Sequence, residues 1–318
     1  MNEFTWTDFF KAGSSVLNQM LGAATPVALA ALGGLMTEHA GIMNIGMDGM
    51  ILMGAFVSAA VSFYLASAAL GILAAMLFGV LIGLFFALFT VKLRSDEFII
   101  GCALNTFAMG ITAYLSRSLF GSDGIRGAAY LQNINIPLIK EVPFLGNAVS
   151  GHNLFVYLTW LLVILMWLFV YRTPTGFWIR ASGESPDTLR TAGKSPERMK
   201  WIASILCGVF CGLAGASLSL GKLNGTFTEG MSDSRGYIAF ACVIFGAAHP
   251  PKVYLAALMF GFFDAIGLVL QSYNLVNADL TSAIPYVITI IMMVYVVVSG
   301  QRRRERLAKQ QLKKLELK

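Results

Sequence analysis

The chain has 318 residues, 57% of them hydrophobic and only 13% charged, which excludes an ordinary soluble domain and indicates a polytopic membrane protein whose length divides into spans. Its formal net charge is +6, but eight of its 23 lysines and arginines follow Gln301 and six lie between residues 172 and 200. Such clustering is what membrane topology produces, with positive charge flanking spans on the inner side, so nucleic acid is not expected as a partner.

The N-terminus carries Glu3 and Asp8 before its first lysine, Lys11. It therefore lacks the cationic start of a cleavable signal peptide, and the first span is expected to stay. Crossing the hydrocarbon takes about 20 mostly apolar residues in a helix. Stretches that meet or approach this run at about 17–36, 45–65, 68–91, 98–116, 153–171, 201–221, 237–249, 253–272 and 282–300. The expected fold is all-α and polytopic, with about nine transmembrane helices and a range of about 8 to 10. One membrane domain fills residues 1–300, followed by a basic tail at 301–318. Placing that tail in the cytoplasm and counting back puts the N-terminus outside, the C-terminus inside, and the 172–200 loop in the cytoplasm.

After the first span comes the run Gly33 to Met50, in which Glu38, Asn44 and Asp48 lie among glycines that permit unwound backbone. Two readings stand: a broken helix lining a translocation path, or a cytoplasmic turn with a capped helix after it. Gly79 and Gly83, Gly208 and Gly212, and Gly212 and Ala216 recur at the spacing that lets membrane helices approach closely. Asn105 falls deep in the fourth apolar stretch, where it either bridges helices or lines a pathway.

Arg172 to Lys200 is the most heavily charged interruption between two apolar stretches. Ser185-Pro186-Asp187 reads as an N-cap, a proline at the first helical position and an acid in the first turn, and Gly193 reads as the stop. The same grammar repeats at Ser195-Pro196-Glu197, opening a helix that runs into the apolar stretch from Trp201. A capped helix of about two turns is unstable alone and needs a surface to lie on, here a partner protein. Gly193-Lys194-Ser195 resembles the end of a phosphate-binding loop, but Thr188 stands where its first glycine belongs, so no nucleotide site is expected. Cys102, Cys207, Cys211 and Cys242 all fall in apolar stretches without histidine or carboxylate company, as small packing residues do. His39, His152 and His249 are scattered, and no catalytic grouping forms around them. The chain is not expected to be an enzyme or to bind a metal.

The glycine-rich loop from Asn224 to Tyr237 is placed outside, where Phe227, Glu229 and Arg235 form an external docking surface or gate, or else part of a solvated connection. The apolar stretch before it is complete, but the one that follows is short and ends at His249-Pro250-Pro251-Lys252, as a half-span or one extended upstream. Asp264 lies within the eighth stretch and either lines the pathway or pairs with a neighbouring helix. In the tail, Leu307, Leu312 and Leu315 alternate with basic residues, a pattern that fits a surface-lying helix or a solvated anchor.

Glu38-His39-Ala40-Gly41-Ile42-Met43-Asn44-Ile45-Gly46-Met47-Asp48-Gly49-Met50 with Gly54-Ala55-Phe56 resembles an early signature of the permease subunits of bacterial nucleoside and simple-sugar ABC importers. Arg180-Ala181, Gly183-Glu184, Pro186 and Ala192-Gly193, then Gly212 to Ala216, resemble that family's coupling loop and the helix after it. Arg235-Gly236-Tyr237-Ile238-Ala239 to Phe245-Gly246 resembles the segment before its last helices. His39 and Asp48 depart from the usual basic residue and glutamate but keep polar character. The pattern is most similar to the second permease of nucleoside importers. The resemblance implies a multi-pass protein of the bacterial cell membrane, paired with a homologous permease or a second copy. It also implies cytoplasmic ATPase subunits that carry ATP and magnesium, and an extracellular substrate-binding lipoprotein. Glu184, Ser185, Pro186, Arg190 and Gly193 would then couple to the ATPase, and Glu38, Asn44, Asp48, Asn105 and Asp264 would line the solute path. From the residues alone, a secondary carrier or channel that binds its coupling ion at Asp264 and Asp48 remains the alternative.

Overall fold

The computed structural model describes residues 6–121, 124–134, 150–272 and 287. Ten helices run through them: α1 (Trp6–His39), α2 (Met47–Leu65), α3 (Ala68–Ala87), α4 (Glu97–Phe120), α5 (Leu154–Arg172), α6 (Pro174–Glu184), α7 (Pro186–Thr191), α8 (Pro196–Ala216), α9 (Arg235–Phe245) and α10 (Pro250–Ser272). Two of them, α3 and α8, continue as π-helical turns, Leu88–Lys92 and Ser217–Lys222. The chain divides into two units, residues 1–266 and 267–318. In the second unit the described residues are the last turn of α10 and Val287, so the expected ninth span is otherwise outside the described residues, as is the tail.

Seven helical segments among the described residues are long and apolar enough to cross a membrane: Gly13–His39, Met47–Leu65, Ala68–Lys92, Glu97–Phe120, Leu154–Arg172, Pro196–Lys222 and Pro250–Val269. They match seven of the stretches read from hydropathy. The seventh stretch, at 237–249, is α9, which has 11 residues, a length of about 16 Å at 1.5 Å per residue, or half of the hydrocarbon thickness. It is the half-span, and the chain upstream of it from 223 to 234 is not helical.

Helix starts follow from local chemistry. Asp96 accepts from the N–H groups of Phe98 and Ile99 at the head of α4, Asn153 from Phe155 at α5, and Ser195 from Arg198 at α8. Thr173-Pro174 opens α6 in the same way, its hydroxyl accepting from Gly176. The 172–200 stretch thus holds a further helix beside the expected short one, and Ser185 at the start of α7 makes no cap bond; its hydroxyl pairs instead with that of Thr188 at 2.7 Å.

α8 is the central packing element, lying against α3, α1 and α2. The approach is set by glycine: a Cβ at Gly79 would sit 2.2 Å from the Gly208 carbonyl oxygen, and one at Gly54 2.7 Å from the Gly212 Cα. In lipid, where apolar burial supplies no drive between helices, this contact area replaces it. α1 is buried on every side from Ala28 to Leu32. By contrast α3, α4 and α5 expose Leu77, Tyr114 and Ile164 by more than half, as rim helices of a membrane bundle do. The four cysteines are free, Cys207, Cys211 and Cys242 buried in these contacts.

Candidate functional site

The loop 40–46 and the segment 223–234 each lead to a helix that starts inside the bundle. The depth of the first start follows from its neighbours: a Cβ on Gly34, five residues before the end of α1, would meet the Met47 sulfur and a Val243 methyl. Asn44, 1% exposed, closes the loop by accepting the Gly46 N–H at 3.0 Å, with its amide nitrogen 3.3 Å from the Cys207 sulfur. It is a lock on the loop rather than a group facing open space.

Neither internal helix start is capped by its own chain segment. Asn105 on α4 accepts the Gly49 N–H of α2 at 2.7 Å and donates to the Ile45 carbonyl at 3.0 Å. Asp48 on α2 in turn accepts the Gly236 N–H of α9 at 2.9 Å and the Ser232 hydroxyl at 3.0 Å. Ser234, the residue at the α9 cap position, is in the left-handed region and offers no side-chain bond. The carboxylate of Asp48 therefore supplies the cap and faces the positive end of the helix dipole. Gly236 is required there, since a Cβ would lie 2.2 Å from the Asp48 nitrogen. Tyr237, one residue on, accepts from the Asn105 amide at 2.9 Å and closes the cluster.

The 223–234 segment leads to this cluster. Phe227 is fully buried, edge-on to Phe56 of α2 at 5.2 Å between centroids, and its backbone exchanges two hydrogen bonds with Ile125. It is a core anchor and is not presented to a docking partner. Arg235 donates to the Met231 and Ser232 carbonyls, fastening the turn before α9. Glu229 forms a forked pair with Arg117 of α4 at 2.6 and 2.7 Å, and the guanidinium holds its carboxyl below the ordinary range. Asp264 on α10 stands apart from the cap cluster and faces Lys222, Nζ to Oδ2 3.6 Å.

At the opposite end of α9 is an open cavity of about 480 Å³ lined by Glu38, His39, Gly183, Glu184, Ile244 and Ala247 among others. Glu38 and Glu184, assigned to different roles by sequence, meet at its rim. Arg180 lies 4.9 Å over the Tyr171 ring, and that ring is 5.2 Å from His249. Beyond Glu184, α7 projects with every residue exposed except Leu189, which anchors it. Arg190 bridges Asp187 at 3.2 Å and Glu197 at 2.5 Å; the Glu197 contact raises its already high pKa. Gly193, at φ +77°, ends the helix, and the Lys194 N–H returns to the Leu189 carbonyl. A cleft of about 440 Å³ runs beside it between Arg94, Asp187, Arg190 and Lys200.

The structure thus brings together Asn44, Asp48 and Asn105 around two helix starts, and Glu38 with Glu184 at a cavity, while Asp264 is ion-paired elsewhere. Sequence reasoning missed Ser232, Tyr237 and Glu97. The carboxylate of Glu97 accepts the Met43 N–H at 2.6 Å, tying α4 to the 40–46 loop. No group of three metal-ligating side chains occurs among the described residues.

A family model described as "Branched-chain amino acid transport system / permease component" matches residues 16–296. The chain is 32% identical over 302 residues to the guanosine ABC transporter permease protein NupQ of Bacillus subtilis, covering 90% of this chain and 93% of that one. It is 30% identical to the nucleoside ABC transporter permease protein NupC of Lactococcus lactis, over 87% and 90% of the two chains. It is also 31% identical to a putative glucose ABC transporter permease protein, TsgC13, of Haloferax volcanii, over 93% and 94%. No solved structure matches the chain.

Proposed function

We propose that this chain, which belongs to the branched-chain amino acid transport system permease family and is a multi-pass component of an ABC transporter in the cell membrane, carries nucleosides inward. The observation that carries the solute is the near full-length similarity to a protein named for guanosine. As a permease it is a transport component and not itself an enzyme.

The energy then comes from partner ATPase subunits that bind ATP and magnesium, seated on the end of the bundle that displays α7. That end also carries Lys92, Arg94 and Lys200, which fits the cytoplasmic side. Glu184, Ser185, Pro186, Arg190 and Gly193 form the contact, with Leu189 holding the helix to the bundle. A homologous permease or a second copy completes the path, and an extracellular binding lipoprotein delivers the solute. Asp48, Asn105 and Asn44 shape the path by fixing where α2 and α9 begin. Glu38 stands at its inner mouth, and Asp264 supports the outer half through Lys222. ATP drives net uptake only if nucleotide and solute bind the inward and outward states with different affinity, so the α6–α7 unit must shift between them.

The test is uptake by proteoliposomes containing the permeases, the ATPases and the binding protein. ATP-dependent accumulation of labelled guanosine supports the reading. Uptake of glucose alone reassigns the solute, and uptake without ATP that collapses with a protonophore replaces the mechanism by an ion-driven carrier.

A further inference from the structure

We propose that Tyr237 is the aromatic platform on which this permease receives the planar base of its solute, with Asn105 as the positioning residue for its hydroxyl. The inference rests on the nucleoside reading above and deepens it.

Three observations meet at this side chain. First, Tyr237 is 45% exposed although it lies one residue after Gly236, whose N–H is taken by Asp48 inside the bundle. Tyrosines exposed in membrane proteins ordinarily sit at the water interface, where the ring is half-solvated. A phenol left 45% exposed where two helices start inside the bundle fits a hydrated path better than lipid. Second, the hydroxyl is oriented. Asn105 donates one amide hydrogen to it and the other to the Ile45 carbonyl, while its own oxygen takes the Gly49 N–H. The amide cannot rotate without breaking the start of α2. Since the phenol oxygen is the acceptor in this bond, its own proton is free to donate outward. Third, Tyr237 and Ile244 lie two turns apart on one side of α9 with half-buried Phe240 and Ala241 between them, and Ile244, 51% exposed, lines the cavity at the opposite end with Glu38 and Glu184. A flat apolar surface with one fixed donor, on the side of α9 that leads toward the inner mouth, suits a heterocyclic base. Sugars use dense hydrogen bonding, whereas every base offers a π face for stacking.

The test uses the assembled importer in proteoliposomes, with guanosine and ribose as labelled solutes. Co-purification of Tyr237→Leu, Tyr237→Phe and Tyr237→Trp with the ATPases checks assembly. The expected result is a KM for guanosine raised about tenfold or more in Tyr237→Leu, about threefold in Tyr237→Phe through loss of the donor, and little changed in Tyr237→Trp. Any ribose uptake should be indifferent to all three. A Tyr237→Leu KM within twofold of wild type overturns the platform while guanosine transport itself stands. Loss of guanosine uptake in the correctly assembled Phe and Trp variants also overturns it, because the ring is then not what matters. A wild-type importer that carries ribose or glucose and no nucleoside removes both the platform and the nucleoside reading.

Discussion

Replacing Asp48 by alanine isolates the step that joins α2 to α9. The wild-type carboxylate accepts one backbone and one hydroxyl hydrogen bond, at 2.9 and 3.0 Å. The two losses are unequal. The Ser232 hydroxyl rotates and finds another acceptor, but the Gly236 N–H is fixed by the backbone of α9, and the Gly236 Cα is so close to Asp48 that a Cβ there would be 2.3 Å from the Asp48 Cα. A donor left dry costs about 1–3 kcal/mol and a lost cap about 1 kcal/mol. Because these describe overlapping parts of one interaction, the expected destabilisation is about 2–3 kcal/mol. Asp48→Asn keeps an oxygen for Gly236 and an amide donor for Ser232, losing only the charge opposite the helix dipole, worth about 0.3–1 kcal/mol. Equilibrium unfolding in mixed micelles reads both, and ATP-driven uptake reads whether α9 still starts in the right place. An alanine variant within about 0.5 kcal/mol of wild type, with normal uptake, would refute the cap as the link between the two helices.

Gly79→Leu should separate α3 from α8 and cost about 1–3 kcal/mol as an overpacked contact, read as loss of detergent-stable monomer at lower temperature. An effect no larger than that of Gly110→Leu, where a Cβ meets nothing within 4 Å, would contradict the packing. In the proposed coupling unit, Gly193→Pro, or Glu184 and Arg190 both to alanine, should leave the protein folded and uncouple ATP hydrolysis from uptake; unchanged uptake in both removes α7 from the mechanism. The Arg117–Glu229 pair predicts a pH effect of known sign. Glu229 has a folded pKa below its ordinary value, so its contribution is fully present above about pH 4.3 and fades as acid titrates the folded carboxyl. Glu229→Gln should abolish that acid-dependent loosening of the 223–234 segment, read by protease cleavage at graded pH and expected to be small for an exposed pair.

Much of this fold was legible because lipid imposes a simple rule: long apolar stretches become helices, and their ends are written in capping residues. Asn153, Ser195 and the prolines after Thr173 and Ser185 all act as the local grammar says. The close helix pairs were legible too, since Gly79 with Gly83, and Gly208 with Gly212, have little other reason to stand at helical spacing in apolar stretches. What hydropathy could not reveal is depth. The 223–234 loop reads as polar and therefore external, yet Phe227 is buried in the core and Ser232 reaches Asp48. Its polar groups are satisfied by helix ends of other segments, which no local window contains. Asp48 is the clearest case: a carboxylate in the first turn of α2 looks like that helix's own dipole partner, and instead caps a helix 188 positions away in sequence.

The same arrangement bears on how force at α7 would reach the solute. α6 carries α7 at one end, and its Gly183 rests on the turn after α1, where a Cβ would be 2.4 Å from the His39 carbonyl oxygen and 2.7 Å from the Gly41 nitrogen. Contact that close leaves no slack, so α6 cannot move toward α1 without displacing the 40–46 loop. That loop is locked by Asn44 and tied to α4 by Glu97, and it ends where α2 begins and Asp48 holds α9. A helix continuous across the bilayer would spread a push along its whole length. A helix that starts inside the bundle, and is capped by a neighbour, can change its starting point by exchanging one or two hydrogen bonds. Coupling over such a distance requires an element with two discrete arrangements that both ends bias. The start of α9 is where these contacts converge: Asp48 links it through the 40–46 loop to the end that carries α7, and Asn105 fixes Tyr237 beside it, so a shift in either would alter what the proposed path offers a solute.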